Sequence, residues 1–250
     1  MNISEILYWK IHAVFNKFCM FLLFRTLPGI ELEIKRYKKK SNVTGTKYTS
    51  LWLLVRNILK YKPKTILESG TGLSTIIIAE TLKKISDKDL NFNANVISME
   101  SNHYWYTVAK KNLPKKYNKY VNIIYGKRKK IEFIFYRGYY HSNIPKLDYD
   151  FIFIDGPSYN DRYGSSFCAD LLIALNYSRR QLIRGVIDTR VSTVFVLQQI
   201  FKSFPIKYYS ILRTTSFKVK KQNLFRNLTS RDFSNDIWGR LKLSDEIIDR

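Results

Sequence analysis

The segment from Thr65 to Thr75, TILESGTGLST, constrains the fold more than any other part of the sequence. An extended apolar run ends in a glycine-rich turn and continues at once into helical residues, which predicts a strand, a loop and a helix. Gly70 and Gly72 allow the backbone to approach a ligand closely, and Ser74 or Thr75 can cap the helix. The loop then presents backbone N–H groups where phosphates and nucleotides bind. The alternative is the tight turn of any α/β protein.

Strands alternate with helices from about residue 47 to residue 220, and this pattern is typical of βαβ units. It predicts an α/β fold with a doubly wound, mainly parallel sheet and a closing antiparallel pair of strands. After the strand that starts at Thr65, apolar runs predict strands at 95–100, 121–125, 149–154, 182–187, 206–212 and 216–219. Further helices are predicted at 47–60, 104–113, around 168–175 and at 193–201.

Composition divides the chain into three parts. Residues 1–46 are predicted to form an N-terminal amphipathic helix and a basic linker that includes the run KRYKKK at 35–40. Residues 47–221 form the α/β domain, which binds the ligand of the glycine loop. Residues 222–250 are a polar tail.

Large apolar side chains dominate residues 4–27. On a helical projection we place Lys10, His12, Asn16 and Lys17 on one side, which leaves the rest of the helix apolar. One interpretation is an interfacial helix whose lysines lie near the headgroups of an anionic membrane. The other is a helix packed on the domain itself or on a second copy of the chain in a homodimer.

The chain is strongly basic, with 43 Lys and Arg against 20 Asp and Glu and a formal net charge of +23. Nucleic acid, an anionic membrane and acidic glycans are therefore all compatible partners, and a biased composition alone could also produce this charge. Cys19 and Cys168 belong to no metal-binding or disulfide pattern, which favours a reducing compartment. No apolar run reaches the roughly 18 residues of a membrane span, so we expect a cytoplasmic protein, with peripheral membrane attachment as an option.

Four acids, Glu68, Glu100, Asp155 and Asp188, fall at or near the ends of predicted strands. Ligands of open parallel sheets bind outside the carboxyl ends of the strands, so one crevice could collect all four. Glu100 would end the neighbouring strand, where a carboxylate accepts both hydroxyls of a ribose. For any single acid, the alternative is a helix N-cap.

These motifs resemble the class I S-adenosylmethionine-dependent methyltransferases, which have a Rossmann-like fold, over residues 47 to 220. ESGTGLST at 68–75 is similar to their E-x-G-x-G loop, Glu100 to the acid that holds the ribose, and YDFIFIDGP at 149–157 to their fourth motif. The resemblance implies S-adenosylmethionine as the cofactor and Asp155 facing the methyl group and the substrate. The cofactor-binding residues that it implies are Glu68, Ser69, Gly70, Gly72, Ser74, Thr75, Glu100, Ser101 and Asp155.

Some features depart from this pattern. Gly126-Lys127 stands where the family often carries an acid for the adenine, and the fourth motif lacks the Asp/Asn-Pro-Pro signature of base amino-group methylation. A Pro-Cys pair for methylation of pyrimidine carbon and a Lys-Asp-Lys-Glu set for ribose methylation are also missing, which weighs against nucleic acid. A nicotinamide dehydrogenase shares the loop and the acid, but Thr75 occupies the place of its third glycine.

Methyl transfer to a hydroxyl needs alignment and a base. Our candidates for the base are Asp155, Asp188 and His141, although His141 is also compatible with a solvated loop histidine. Tyr159 and Arg162 follow the Gly-Pro turn and are predicted to meet the substrate, where the arginine would suit a carboxylate or phosphate.

We predict no metal. The alternative is a divalent cation bound by Asp155, Asp161 and Asp188, whose spacing matches no metal motif. The sequence thus favours a methyltransferase acting on a hydroxyl of a small molecule or saccharide. An RNA methyltransferase, supported by the basic runs at 35–40 and 127–130, and a non-catalytic cofactor-binding or membrane-surface protein are the alternatives.

Overall fold

The computed structural model describes residues 3–41, 47–133, 136–158, 160–161, 164–201 and 204–221. Its α-helices are α1 (Ile3–Thr26), α2 (Ile30–Lys40), α3 (Tyr48–Tyr61), α4 (Leu73–Ser86), α5 (His103–Asn112), α6 (Asp170–Tyr177) and α7 (Val191–Ile200). The strands before residue 158 are β1 (Thr65–Ser69), β2 (Asn95–Glu100), β3 (Val121–Tyr125), β4 (Arg128–Phe133), β5 (Tyr136–His141) and β6 (Phe151–Ile154). The later strands are β7 (Asn160–Asp161), β8 (Gly164–Ser165), β9 (Phe167–Cys168), β10 (Leu182–Asp188), β11 (Ile206–Tyr209) and β12 (Thr214–Lys220).

The main sheet has seven strands in the order β11-β12-β10-β6-β1-β2-β3. The five strands from β10 to β3 are parallel, with Leu67 of β1 in register with Ile97 of β2 and Ile152 of β6. β12 pairs antiparallel with both β10 and β11. The predicted fold class, a mainly parallel doubly wound sheet with a closing antiparallel pair, is confirmed.

Each face of this sheet carries its own hydrophobic core, because successive side chains of a strand point to opposite faces. Leu67, Ile97 and Ile152 pack with residues of α6 and α7 on one face. Ile66 and Phe151 pack on the other face with residues of α2, α3 and α4. Helices therefore cover both faces, and the carboxyl ends of the strands stay accessible at one edge.

The predicted basic linker at 35–40 is instead the second half of α2. Ile30, Ile34 and Tyr37 recur at helical spacing and are buried in the same core as α3 and α4. The lysines at the end of the helix lie on its exposed side, where they complement the helix dipole. The basic run therefore signals the outer face of a packed helix.

α1 differs from the prediction in two ways. Lys10 and Lys17 are exposed, whereas His12 and Asn16 face the domain, so these four residues do not share one side. In addition, α1 is long and apolar enough to cross a membrane by length and composition, with a mean hydropathy of 1.2 over 18 residues. The expectation that no segment would reach that length is wrong.

A second sheet of three strands, β4-β5-β9, interrupts the alternation between β3 and β6. It was not predicted, because β4 carries three exposed basic residues in succession and lacks the alternating apolar pattern of a half-buried strand. β5 ends at His141, which is only 1% exposed. The interpretation of His141 as a solvated loop residue is therefore wrong.

Candidate active site

The glycine loop connects β1 to α4 at the carboxyl edge of the sheet. Gly70 has a φ of 91°, a left-handed conformation that favours glycine, and its N–H donates to the Met99 carbonyl at 2.9 Å. The helix begins at Leu73, with Gly72 as its N-cap. Ser74 and Thr75 therefore lie within the first turn and are not the cap residue, contrary to the prediction, although the Thr75 hydroxyl accepts a hydrogen bond from the Gly72 N–H at 3.0 Å.

Glu68 lies fully buried directly beneath this loop. Its Oε2 accepts hydrogen bonds from the hydroxyls of Thr75 and Ser98, each at 2.6 Å. Burial raises the pKa of this carboxyl to about 7, and the hydrogen bonds that the carboxylate accepts oppose that rise. Glu68 thus ties the loop to α4 and β2 from below and is absent from the lining of the cleft.

A cleft of about 500 Å³ opens beside the loop, within the range of small-molecule sites. It is lined by residues at the ends of β2, β6 and β10, by the first turn of α4, and by residues of α2, α3 and α5. The lining residues are Tyr37, Lys47, Ser50, Leu51, Thr71, Gly72, Leu73, Ser74, Glu100, Trp105, Phe153, Asp155, Asp188 and Arg190. The N-terminal extension therefore contributes to the site through Tyr37.

Glu100 ends β2 and presents its carboxylate at one end of the cleft. Its Oε1 accepts a hydrogen bond from the Asn102 N–H at 2.8 Å, which fixes the side chain at the start of α5. Burial raises the pKa of Glu100, and the backbone N–H groups of Asn102, Ser101 and Thr71 oppose that rise. The backbone N–H of Ser101 faces this carboxylate, although Ser101 is absent from the lining of the cleft, and Trp105 of α5 adds an aromatic surface to the cleft.

Asp188 ends β10 and is held by two residues at the start of α3. The Ser50 hydroxyl donates to Asp188 Oδ1, and the Lys47 ammonium lies 3.3 Å from Oδ2. The Lys47 ammonium also donates to the hydroxyl of Thr189. Asp188 is therefore a paired, hydrogen-bonded carboxylate whose oxygens are engaged by protein groups.

Asp155 follows β6 and differs from Asp188 in its exposure, because 49% of its side chain is accessible from the cleft. The Arg190 guanidinium lies 3.7 Å from Asp155 Oδ1 and donates to the carbonyls of Asp155 and Pro157. The pKa of Asp155 is raised above its ordinary range, because the walls of the cleft remove water from it and Asp188 adds a negative charge, while Arg190 and Lys47 oppose the rise. Asp155 is thus the accessible carboxylate best suited to accept a proton near neutral pH.

His141 lies outside the cleft lining, in a buried group beneath the strand ends. Its Nδ1 is 2.7 Å from Asp170 Oδ2, which also accepts a hydrogen bond from the Ser69 hydroxyl at 2.6 Å. Cys168 packs beside Ser69, and burial raises the pKa of its thiol. In this position His141 and Ser69 hold the elements together, and neither side chain contacts the cleft.

Among the remaining predicted residues, Gly70 and Thr75 are described but absent from the lining of the cleft. Gly72 and Ser74 line the cleft. Tyr159 and Arg162 lie outside the described residues, as does the side chain of Asp161. Among the described residues, no group of three or more His, Cys, Asp or Glu side chains is arranged to hold a metal ion.

No protein-family model and no curated protein matches this chain by sequence. Solved structures do match it. A protein from Staphylococcus aureus assigned as a caffeoyl-CoA O-methyltransferase aligns with 83% of this chain and 99% of its own, at a TM-score of 0.55 and 17% identity. The chain has the class I S-adenosylmethionine-dependent methyltransferase fold.

Two other structures of proteins with this methyltransferase fold align more loosely. An S-adenosylmethionine-dependent methyltransferase from Aquifex aeolicus is 14% identical, covers 76% of this chain and 98% of its own, and gives a TM-score of 0.42. A class I methyltransferase assigned in Listeria monocytogenes is also 14% identical, covers 71% of this chain and 59% of its own, and gives a TM-score of 0.43.

The sequence did not reveal which residues bind the carboxylates of Asp155 and Asp188 in this methyltransferase-fold site. Lys47 and Ser50 were interpreted only as the start of a helix, and Arg190 was not singled out. Lys47 lies 141 residues before Asp188, so no local spacing could reveal the pair. Arg190 follows Asp188 by two residues, and this short separation was the one available signal.

Proposed function

We propose that this protein transfers the methyl group of S-adenosylmethionine to a hydroxyl of a small molecule or a saccharide. The observation that carries the proposal is the half-exposed Asp155 carboxylate, which shares one cleft with Glu100 and the glycine loop. The fold supports the choice of cofactor. The residues also fit it, because a Cβ on Gly72 would have no atom within 4 Å and the loop thus leaves open space beside the start of α4.

Glu100 is positioned to accept hydrogen bonds from the ribose hydroxyls, and Trp105 offers a flat surface for the adenine. The N–H groups in the first turn of α4, where Ser74 lies, suit the carboxylate of the methionine portion. The cofactor supplies an activated methyl group, so the protein mainly needs to align the acceptor oxygen with it.

Asp155 then acts as the base. With the bound cofactor supplying the methyl group and leaving as its demethylated product, Asp155 would accept the proton that the acceptor hydroxyl loses. Arg190 and Lys47 flank this position, so an acceptor carrying a carboxylate or phosphate would find cationic partners. The volume of the cleft must hold the cofactor as well, which favours a small acceptor or the end of a saccharide chain.

Methylation of RNA is the second candidate, favoured by the basic strand β4. Arg128 stacks over the Tyr139 ring at 4.1 Å and donates to the Ser158 carbonyl at 2.8 Å, so the strand adjoins the loop that follows Asp155. Binding through this surface would weaken steeply with salt. A non-catalytic role is the third candidate.

Calorimetry and a methyl-transfer screen distinguish these candidates. Wild-type protein should bind S-adenosylmethionine and its demethylated product, with NAD as the negative control. Radiolabelled cofactor is then offered with a small-molecule and saccharide extract or with total RNA. Label in the first extract supports the proposal, label in RNA alone replaces it with the second candidate, and failure to bind the cofactor contradicts both.

Residues 4–27 have two predicted partners, an anionic membrane and a second copy of the chain. Both are proposals for one surface, the outer side of α1.

A further inference from the structure

The first half of helix α1 packs on the domain through polar side chains, and its second half packs through the buried Cys19 and Leu23. The Tyr8 hydroxyl donates to the Ser210 carbonyl at 2.7 Å, and His12 Nδ1 lies 2.7 Å from the Ile211 carbonyl. One turn further, Asn16 Oδ1 accepts a hydrogen bond from the Thr49 N–H at 3.3 Å. These side chains recur at intervals of four residues, so the polar stripe of α1 is used for docking against the protein.

The outer side of α1 is correspondingly apolar. Phe18 is 55% exposed, Phe21 is 56% and Val14 is 66%. Other large apolar residues of the helix that are exposed are Ile3, Ile6, Leu7, Trp9, Ile11 and Phe15. A surface helix of a globular protein normally shows the opposite arrangement, and contiguous exposed apolar surface of this kind marks an interaction site.

The turn between β11 and β12 extends this surface. It contacts α1 through the hydrogen bonds of Tyr8 and His12, and its Ile211 is 42% exposed. Tyr208, at the adjoining end of β11, is 40% exposed. The Arg213 guanidinium lies 4.6 Å from the Trp9 ring centroid. Amphipathic aromatic rings paired with cations are typical of the level of lipid headgroups.

Positive charge accompanies the apolar residues. Lys10, Lys17 and Arg25 are exposed and follow one another at intervals of seven and eight residues, so they align along the outer side of the helix. Glu5 is the only acid in the sequence of α1. Long cationic side chains can extend from an apolar face to anionic headgroups while their stems stay in apolar surroundings.

We infer that α1 and the β11–β12 turn form a docking surface for an anionic lipid bilayer, with the helix lying in the plane of the interface. A second copy of the chain packed through this surface would bring the cations Lys10, Lys17 and Arg25 of each helix together with only Glu5 of each helix to pair them. A spanning orientation would break the hydrogen bonds from Tyr8, His12 and Asn16 to the domain. The bilayer satisfies both the apolar residues and the cations.

Flotation of the purified full-length protein with vesicles tests this surface. We compare vesicles of phosphatidylcholine alone with vesicles of equal parts phosphatidylcholine and phosphatidylglycerol. The wild type should float with the second kind. Phe18→Glu/Phe21→Glu should abolish flotation, and Lys10→Gln/Lys17→Gln should weaken binding by about 25-fold, since each lysine near such a surface contributes about fivefold.

Matched controls are Leu90→Glu and Lys88→Gln, which lie exposed in the loop after α4 and should bind vesicles as the wild type does. Every variant is also titrated with S-adenosylmethionine, so that loss of vesicle binding is separated from loss of the folded cofactor site. Four results would overturn the inference: no flotation of the wild type, equal flotation of the Phe18→Glu/Phe21→Glu variant, resistance of bound protein to alkaline carbonate, and a stable dimer in sedimentation that Phe18→Glu dissociates.

Discussion

Gly156 lies directly against Gly70, and a Cβ built on Gly156 would come within 2.7 Å of the Gly70 Cα. This backbone contact joins the loop after β1 to the loop after β6. It therefore sets the distance between the predicted cofactor loop and Asp155. No side chain other than hydrogen fits at either position without displacement of the backbone.

Gly156→Ala should destabilise the fold by about 1–3 kcal/mol, the usual effect of overpacking a site that cannot relax. Urea unfolding followed by tryptophan fluorescence measures this. Gly72→Ala is the matched control, because nothing lies within 4 Å of its added Cβ. It should leave the free energy of unfolding within about 0.5 kcal/mol of the wild type and weaken only cofactor binding, so equal destabilisation by both substitutions would contradict the assignment.

Glu100→Gln should raise the Kd for S-adenosylmethionine by about 10- to 100-fold, because hydrogen bonds to a charged acceptor are lost. The isosteric amide keeps the shape of the side chain, so stability should change little. Calorimetry measures the effect, with Glu132→Gln on the exposed part of β4 as the control. Unchanged affinity in Glu100→Gln would remove this residue from the cofactor site.

Activity should fall as pH decreases through the raised pKa of Asp155, because the base must be deprotonated. The midpoint of kcat/KM should therefore lie above about 4, the ordinary value for Asp. Asp155→Asn should lower kcat by about 10²- to 10⁴-fold and leave cofactor binding largely intact. Asp148→Asn, in an exposed pair with Arg179, is the control, and full activity of Asp155→Asn would assign the base elsewhere.

Lys47→Met should shift the acidic limb of that profile to higher pH. The positive charge of Lys47 opposes the rise in the pKa of Asp155, so its removal raises that pKa further. The expected shift is up to about 1 unit, measured as the midpoint of kcat/KM against pH. Lys88→Met should show no shift, and a downward shift in Lys47→Met would contradict the electrostatic argument.

Glu68 should make the protein less stable as pH rises. Its pKa is about 7 in the folded state, above the ordinary value of 4.5, so the folded state binds the proton more tightly. The resulting stabilisation is complete below pH 4.5 and is lost as pH rises to about 7, by about 3 kcal/mol. Urea unfolding at pH 5 and pH 8 should show a smaller loss of stability in Glu68→Gln than in the wild type, while Glu100 and Asp155, whose pKa values are also raised, keep their shares in both. Parallel pH dependence of the two proteins would exclude Glu68 as a source.

The sequence was sufficient to predict which acids meet at the carboxyl edge of the sheet. Glu100, Asp155 and Asp188 each end or follow a parallel strand, and such ends meet at a common edge whatever the details of packing. Whether each side chain lines the cleft or is buried beneath it could not be predicted in the same way. Glu68 and Ser69 belong to the same motif as Gly70, yet they point into the interior because alternate residues of β1 and its end face the two cores.

Contacts between residues that are far apart in the chain could not be predicted from the sequence. Lys47 meets Asp188 only because α3 packs beside the end of β10, a relationship without local spacing. The sheet of β4, β5 and β9 was not predicted, because the basic residues of β4 replace the alternating apolar pattern that identifies a half-buried strand. In α1, the residues were identified as apolar and basic, but only the packing of Tyr8 and Asn16 shows which side faces outward.

The hydrogen bond between Asn16 and Thr49 places the middle of α1 next to the cleft, since the following residue, Ser50, binds Asp188. With α1 lying in a membrane surface, Ser50 and the part of the cleft that it lines would stand one helix diameter, about 10 Å, from the lipid headgroups. An acceptor tethered in the same leaflet would then reach Asp155 by lateral diffusion in two dimensions. Its effective concentration would depend on surface density and no longer on the bulk solution.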